Sequence, residues 1–151
     1  MLEDETAVVD VRGTPVRVLG STLWTDCRLY GRPEFHGRLV ERALNDSRFI
    51  RGADGVTDGP GGFTASEAAR RHEDSRAFLA RELGAPHADP TIVVRHHLAS
   101  LRGIAARYSD GPVNAGFASN RDDLLAMGAA LLRTYACRAS VSRCLRHARN
   151  L

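Results

Sequence analysis

The 151-residue chain contains no lysine: all 21 of its cationic side chains are arginine. No Walker A lysine can therefore reach nucleotide phosphates, no protein lysine can form a Schiff base, and no kinase-type lysine is available. Cysteine is scarce too. Cys27, Cys137 and Cys144 make an odd count without a C-x-x-C, which is neither a disulfide framework nor a zinc-knuckle pattern and fits a reducing compartment. The longest strongly apolar stretch, Leu124 to Leu132, is too short to span a bilayer. The acidic start Met1-Leu2-Glu3-Asp4-Glu5 lacks the basic-then-apolar layout of a signal peptide. A cytoplasmic protein with no membrane partner is the expectation.

Charge is present but unevenly placed. Residues 1–132 hold 16 arginines against all 18 acidic side chains, so the body is slightly acidic. Residues 133–151 hold Arg133, Arg138, Arg143, Arg146 and Arg149 with no acid. The whole basic excess lies in this tail, and no groove-reading motif or aromatic platform accompanies it, so a nucleic-acid partner is not expected.

Two short β-type runs, Ala7–Val11 and Val16–Leu19, flank Arg12-Gly13-Thr14-Pro15 and read as a hairpin. Glu34 to Leu44 has helical periodicity, with Asn45 as its stop. Residues 52–62 are glycine-rich. Without a Lys-Ser/Thr after them they read as a surface connection rather than a phosphate cradle. Thr64-Ala-Ser-Glu67 is a capping box that opens a helix to about Leu83, with His72 on its apolar stripe as a packing residue and Glu73 facing water. Pro90 to His97 contains the unbroken β-favouring run Thr91-Ile92-Val93-Val94, the mark of a strand buried on both faces and hence of a layered α/β protein. Ser119-Asn-Arg-Asp122 is a second capping-type box, predicting a helix through Leu132.

The predicted buried strand ends in His96-His97, and α/β sites collect beyond the C-terminal ends of strands. Neutral imidazole is a metal ligand, but one histidine cannot hold a catalytic ion, so further ligands must converge on it. Asp26, at another strand-to-loop junction, is one candidate, although a loop-capping role is the simpler reading. A Cys–His or Ser–His pair using Cys27 or Ser100 is the competing chemistry. No G-x-S-x-G elbow supports it.

Four blocks, Leu19-Gly-Ser-Thr-Leu-Trp-Thr-Asp26, Asn45-Asp46-Ser47-Arg48, Thr91-Ile-Val-Val-Arg-His96-His97-Leu-Ala-Ser100 and Asn114-Ala-Gly-Phe-Ala-Ser119, resemble successive blocks of a bacterial calcineurin-like metallophosphoesterase. The resemblance covers about Leu2 to Leu125. It implies an αββα sandwich, here partial, with a two-metal centre (manganese, iron or zinc) and a phosphoester substrate. It assigns His96 as metal ligand, with His97, Asp26, Asn45 and Arg48 as supporting or substrate-side residues and no catalytic residue carried over. Arg95 and Ala99 replace the family's usual threonine and proline. The family's Asp-x-His, Gly-Asp, Gly-Asn-His and closing Gly-His-x-His motifs do not occur in the chain. The expectation is therefore a partial metallophosphoesterase domain over 1–132 that does not fully bind its metals and is inactive alone. Residues 133–151 read as a basic tail, out of frame or disordered. The competing function is a non-catalytic α/β interaction module that self-associates through exposed edges.

Overall fold

The computed structural model describes residues 3–50, 62–108, 110–127 and 131–134. The hairpin forms as expected, slightly longer at each end: β1 (Glu5–Val11) pairs antiparallel with β2 (Thr14–Ser21). Arg12 and Gly13 both take positive φ in the turn, and the Gly13 N–H donates to the Asp10 carboxylate at 3.0 Å. The chain then passes through α1 (Pro33–Ala43), α2 (Asp46–Phe49) and α3 (Ala65–Gly84) before β3 (Thr91–Arg95). Two short 3-10 turns, Leu101–Gly103 and Ala106–Tyr108, carry the following connection, and a third spans Pro112–Gly116. They lead to α4 (Asp122–Ala126) and β4 (Leu131–Thr134).

The four strands form one mixed sheet in the order β1-β2-β3-β4, with β2, β3 and β4 mutually parallel. The described residues are thus a mixed α/β unit. Leu19 and Val93 are register partners, and Phe78 and Leu79 of α3 join them in the main core together with Leu23, Ala99 and Leu124. Residues 17, 19 and 21 of β2 and 91, 93 and 95 of β3 are all buried, as strand alternation requires of one covered face. The second face is less enclosed than expected, since Ile92 and Val94 are only half-buried. Two arginines sit on the covered face. The Arg17 Nε–H donates to Thr91 Oγ1 at 3.0 Å, and Arg95 donates to the His97 carbonyl at 2.9 Å.

Three sequence readings need correction. The helix predicted through Leu132 ends at Ala126, and Leu131–Thr134 is a strand beside β3. A short apolar run fits a helix or a buried strand equally by periodicity, and here the free edge of β3 decides. The Ser119–Asp122 box does not cap: Arg121 is the residue before α4, without a side-chain capping bond. At α3 the box is half made. Thr64 Oγ1 accepts from the Glu67 N–H at 3.1 Å, but the Glu67 carboxylate turns to Arg70 and Arg71 instead of reaching back. Those arginines hold its carboxyl down at about 2. The glycine-rich stretch, except Gly62, and the tail beyond Thr134 lie outside the described residues. Among the described residues no helix is long and apolar enough to cross a membrane.

Candidate functional site

Parallel pairing of β2 with β3 brings Ser21 alongside Arg95, so both strands deliver their following residues to one end of the sheet. Beyond β2 the chain runs through Thr22–Cys27, all buried. Leu23 (φ 53°) and Cys27 (φ 55°) bracket this segment in the left-handed region. That conformation costs a non-glycine residue on the order of 1 kcal/mol, so packing must hold both. Leu23 is 1% exposed and belongs to the main core. Beyond β3, the His97 N–H donates to the Thr22 carbonyl at 3.1 Å, tying the two strand extensions together.

A buried polar cluster hangs from this tie. His72, fully buried on α3, donates Nδ1–H to the Trp24 carbonyl at 2.9 Å. A carbonyl only accepts, so the ring proton sits on Nδ1 and Nε2 is left as an acceptor. Arg121 fills that role: its Nε–H reaches His72 Nε2 at 3.1 Å while Nη2 donates to Asp26 Oδ2 at 3.0 Å. The same Nη2 lies 3.6 Å from Glu73 Oε1. Asp26 is also a loop cap, its Oδ1 accepting from the Arg28 N–H at 3.0 Å. Arg121 is delivered by backbone pairing, because Ser119 N–H donates to the Leu98 carbonyl and Arg121 N–H to the Ala99 carbonyl at 2.7 Å.

His97 belongs to a second group at this end of the sheet. It is buried, its Nδ1–H donates to the Thr22 carbonyl at 3.2 Å, and its ring lies 5.2 Å from that of Trp24. Burial, reinforced by the neighbouring His96 and then His72, pushes its pKa down to about 4, so the ring is neutral at neutral pH. It lines a small cleft with Trp24, Cys27, Val40, Ser47 and Phe63, with room for little more than one water molecule. Trp24 Nε1 is buried there with no hydrogen-bond partner among the described residues. Burial also raises the Cys27 thiol above its usual range, so it is held as thiol rather than as the thiolate a nucleophile requires. Ser100 caps the Leu101–Gly103 turn, its Oγ accepting from the Arg102 N–H at 3.2 Å.

The sequence-predicted residues therefore separate. His96 is exposed at the strand end with its ring 4.9 Å from that of His97. Asp26 joins His72, and His97 joins Trp24 and Cys27. Asn45 is exposed at the start of α2 without a capping bond, whereas its neighbours Asp46 and Ser47 line the cleft. Arg48 lies in α2, and its side chain is outside the described residues. Arg95, in the position of the family's usual threonine, is buried and donates to the His97 carbonyl at 2.9 Å. Sequence reasoning missed Glu73 and Arg121 and assigned His72 to packing. One signal was available: a histidine on a buried stripe needs a hydrogen-bond partner at each ring nitrogen.

As a metal centre the arrangement is incomplete. Among the described residues, only Asp26, His72 and Glu73 gather three potential ligand atoms, within 4.8 Å of one another, and His96 is not one of them. Arg121 already contacts all three. Two dications do not fit this set, and no catalytic step is derived through them. No protein-family model, no curated protein and no solved structure matches the chain.

Proposed function

We propose that the chain is built on a metal-dependent phosphoesterase scaffold, with His96 as its metal-ligand side chain, and that its own residues do not turn over phosphoesters. The observation that carries this reading is the juxtaposition, at one end of a parallel strand pair, of the Leu19–Asp26 block with His96-His97. Sites of α/β proteins collect at such ends. His96 is solvent-facing there and free to take an ion, while His97 is anchored to Thr22 and keeps the strand end in place. A lone imidazole binds a divalent ion weakly and cannot polarise a phosphoryl group between two metals. Weak binding without turnover is the consequence. Titration with Mn2+ should broaden the His96 ring signals in proton NMR before those of His87. Hydrolysis of an aryl phosphate with Mn2+, Fe2+ or Zn2+ should stay at the level of a His96→Ala control. Metal-dependent turnover that His96→Ala abolishes would overturn the inactivity, and a ring that Mn2+ leaves sharp would remove His96 from the metal role.

A second reading, a non-catalytic interaction module, is favoured by β1. Val8, Val9 and Val11 are 60%, 42% and 49% exposed on a strand whose outer edge has no partner among the described residues. An apolar edge of this kind promotes pairing between chains. Light scattering during size exclusion should then find species larger than one chain, dispersed by Val9→Lys. A clean monomer at all concentrations speaks against it.

A further inference from the structure

Asp26, His72 and Glu73 carry the chemistry of a metal site, yet a side chain of the protein occupies it. The His72 ring donates from Nδ1 to a backbone carbonyl and presents Nε2, the orientation that protein-bound metals demand of a ligating histidine. Asp26 adds a carboxylate that is 7% exposed, and Glu73 adds one at the mouth that can swing. The three ligand atoms lie within 4.8 Å of one another, wider than a zinc shell of about 2.0–2.2 Å bonds requires, and Glu73, 57% exposed, is the least enclosed of the three. Nε of Arg121 lies 3.1 Å from His72 Nε2, and Nη2 lies 3.0 Å from Asp26 and 3.6 Å from Glu73. The guanidinium stands where an ion would stand. Its single positive charge neutralises part of the two carboxylates, and it uses the imidazole lone pair that a metal needs.

We infer that Asp26, His72 and Glu73 form a latent single-ion site of the zinc class, held closed by Arg121 acting as the resident cation. An incoming ion has to displace a guanidinium whose backbone is pinned to Ala99, so the chain excludes zinc-class ions from this position while Arg121 is in place. The inference does not depend on the phosphoesterase reading, since it concerns His72 rather than His96.

Calorimetric titration of the full chain with Zn2+ tests it. Arg121→Ala should gain one Zn2+ per chain at an affinity at least about tenfold above any site in the unmodified protein. The gain should vanish in Arg121→Ala/Asp26→Asn. Ions held by other histidines or cysteines are common to all these proteins and drop out of the comparison. Should the alanine variant not fold, Arg121→Met keeps the buried methylenes without the charge and carries the same expectation. Failure of both variants to gain an ion overturns the inference. So does a gain that survives Asp26→Asn, or tight Zn2+ binding by the unmodified chain that Asp26→Asn abolishes.

Discussion

Lowering the pH from above 6.5 to 4 is expected to remove about 3 kcal/mol of folding stability through His97 alone. The ring is buried, donates Nδ1–H to the Thr22 carbonyl and lies against Trp24. Its pKa falls from the ordinary 6.5 to about 4, first because burial penalises the charged form and then because His96 adds positive charge nearby. In the unfolded chain the imidazole titrates normally. Between these two values the unfolded state therefore binds a proton that the folded state refuses, and acid favours unfolding. The contribution is complete above about pH 6.5, declines as the pH falls, and is exhausted near pH 4. Urea denaturation at a series of pH values should show it as a slope that His97→Gln flattens over this window. Other acid-sensitive groups act in both proteins, so parallel slopes would mean that the imidazole is not held neutral by its surroundings.

Asp26→Ala should cost about 2–3 kcal/mol. The carboxylate is 7% exposed and has two obligations, the Arg28 N–H and the Arg121 guanidinium. Truncation leaves a backbone donor without its acceptor and an arginine that is only 21% exposed with Glu73 as its one remaining carboxylate among the described residues. Glu73 is 57% exposed and solvent-screened, so it replaces little of the lost interaction. The partial exposure of Arg121 keeps the cost below that of a fully buried pair. Asp26→Asn can still accept from Arg28 and should recover about 1 kcal/mol of the loss. Chemical denaturation decides it: a change below about 0.5 kcal/mol for the alanine variant would mean that water already satisfies these groups.

Local signals explain which parts of this architecture could be read in advance. The β1–β2 hairpin carries its own turn residues, α3 its own cap and stripe, and β3 a β-branched apolar run that marks a strand. Each is specified within about twenty residues. β4 is not, because Leu131–Thr134 becomes a strand through the pairing it finds at β3. The site divides in the same way. Asp26 and His96-His97 stand at strand ends, which polarity and patterning mark. Arg121 looks like one more surface arginine among 21, since the carboxylate that defines it lies 95 positions earlier. His72 resembled core because it is core, and its second role appears only once Trp24 and Arg121 are brought to its two nitrogens.

That separation along the chain has a consequence for the order of assembly during synthesis. Trp24 waits 48 residues for His72, Thr22 waits 75 for His97, and Asp26 waits 95 for Arg121. On a ribosome adding about 5–20 residues per second, Asp26 spends several seconds outside the exit tunnel before its counter-charge is made. The hairpin and α3 can form in that interval, but the strand-end cluster cannot. Asp26 and His72 thus lack their shared guanidinium until Arg121 emerges, and it arrives as the last piece of the cluster.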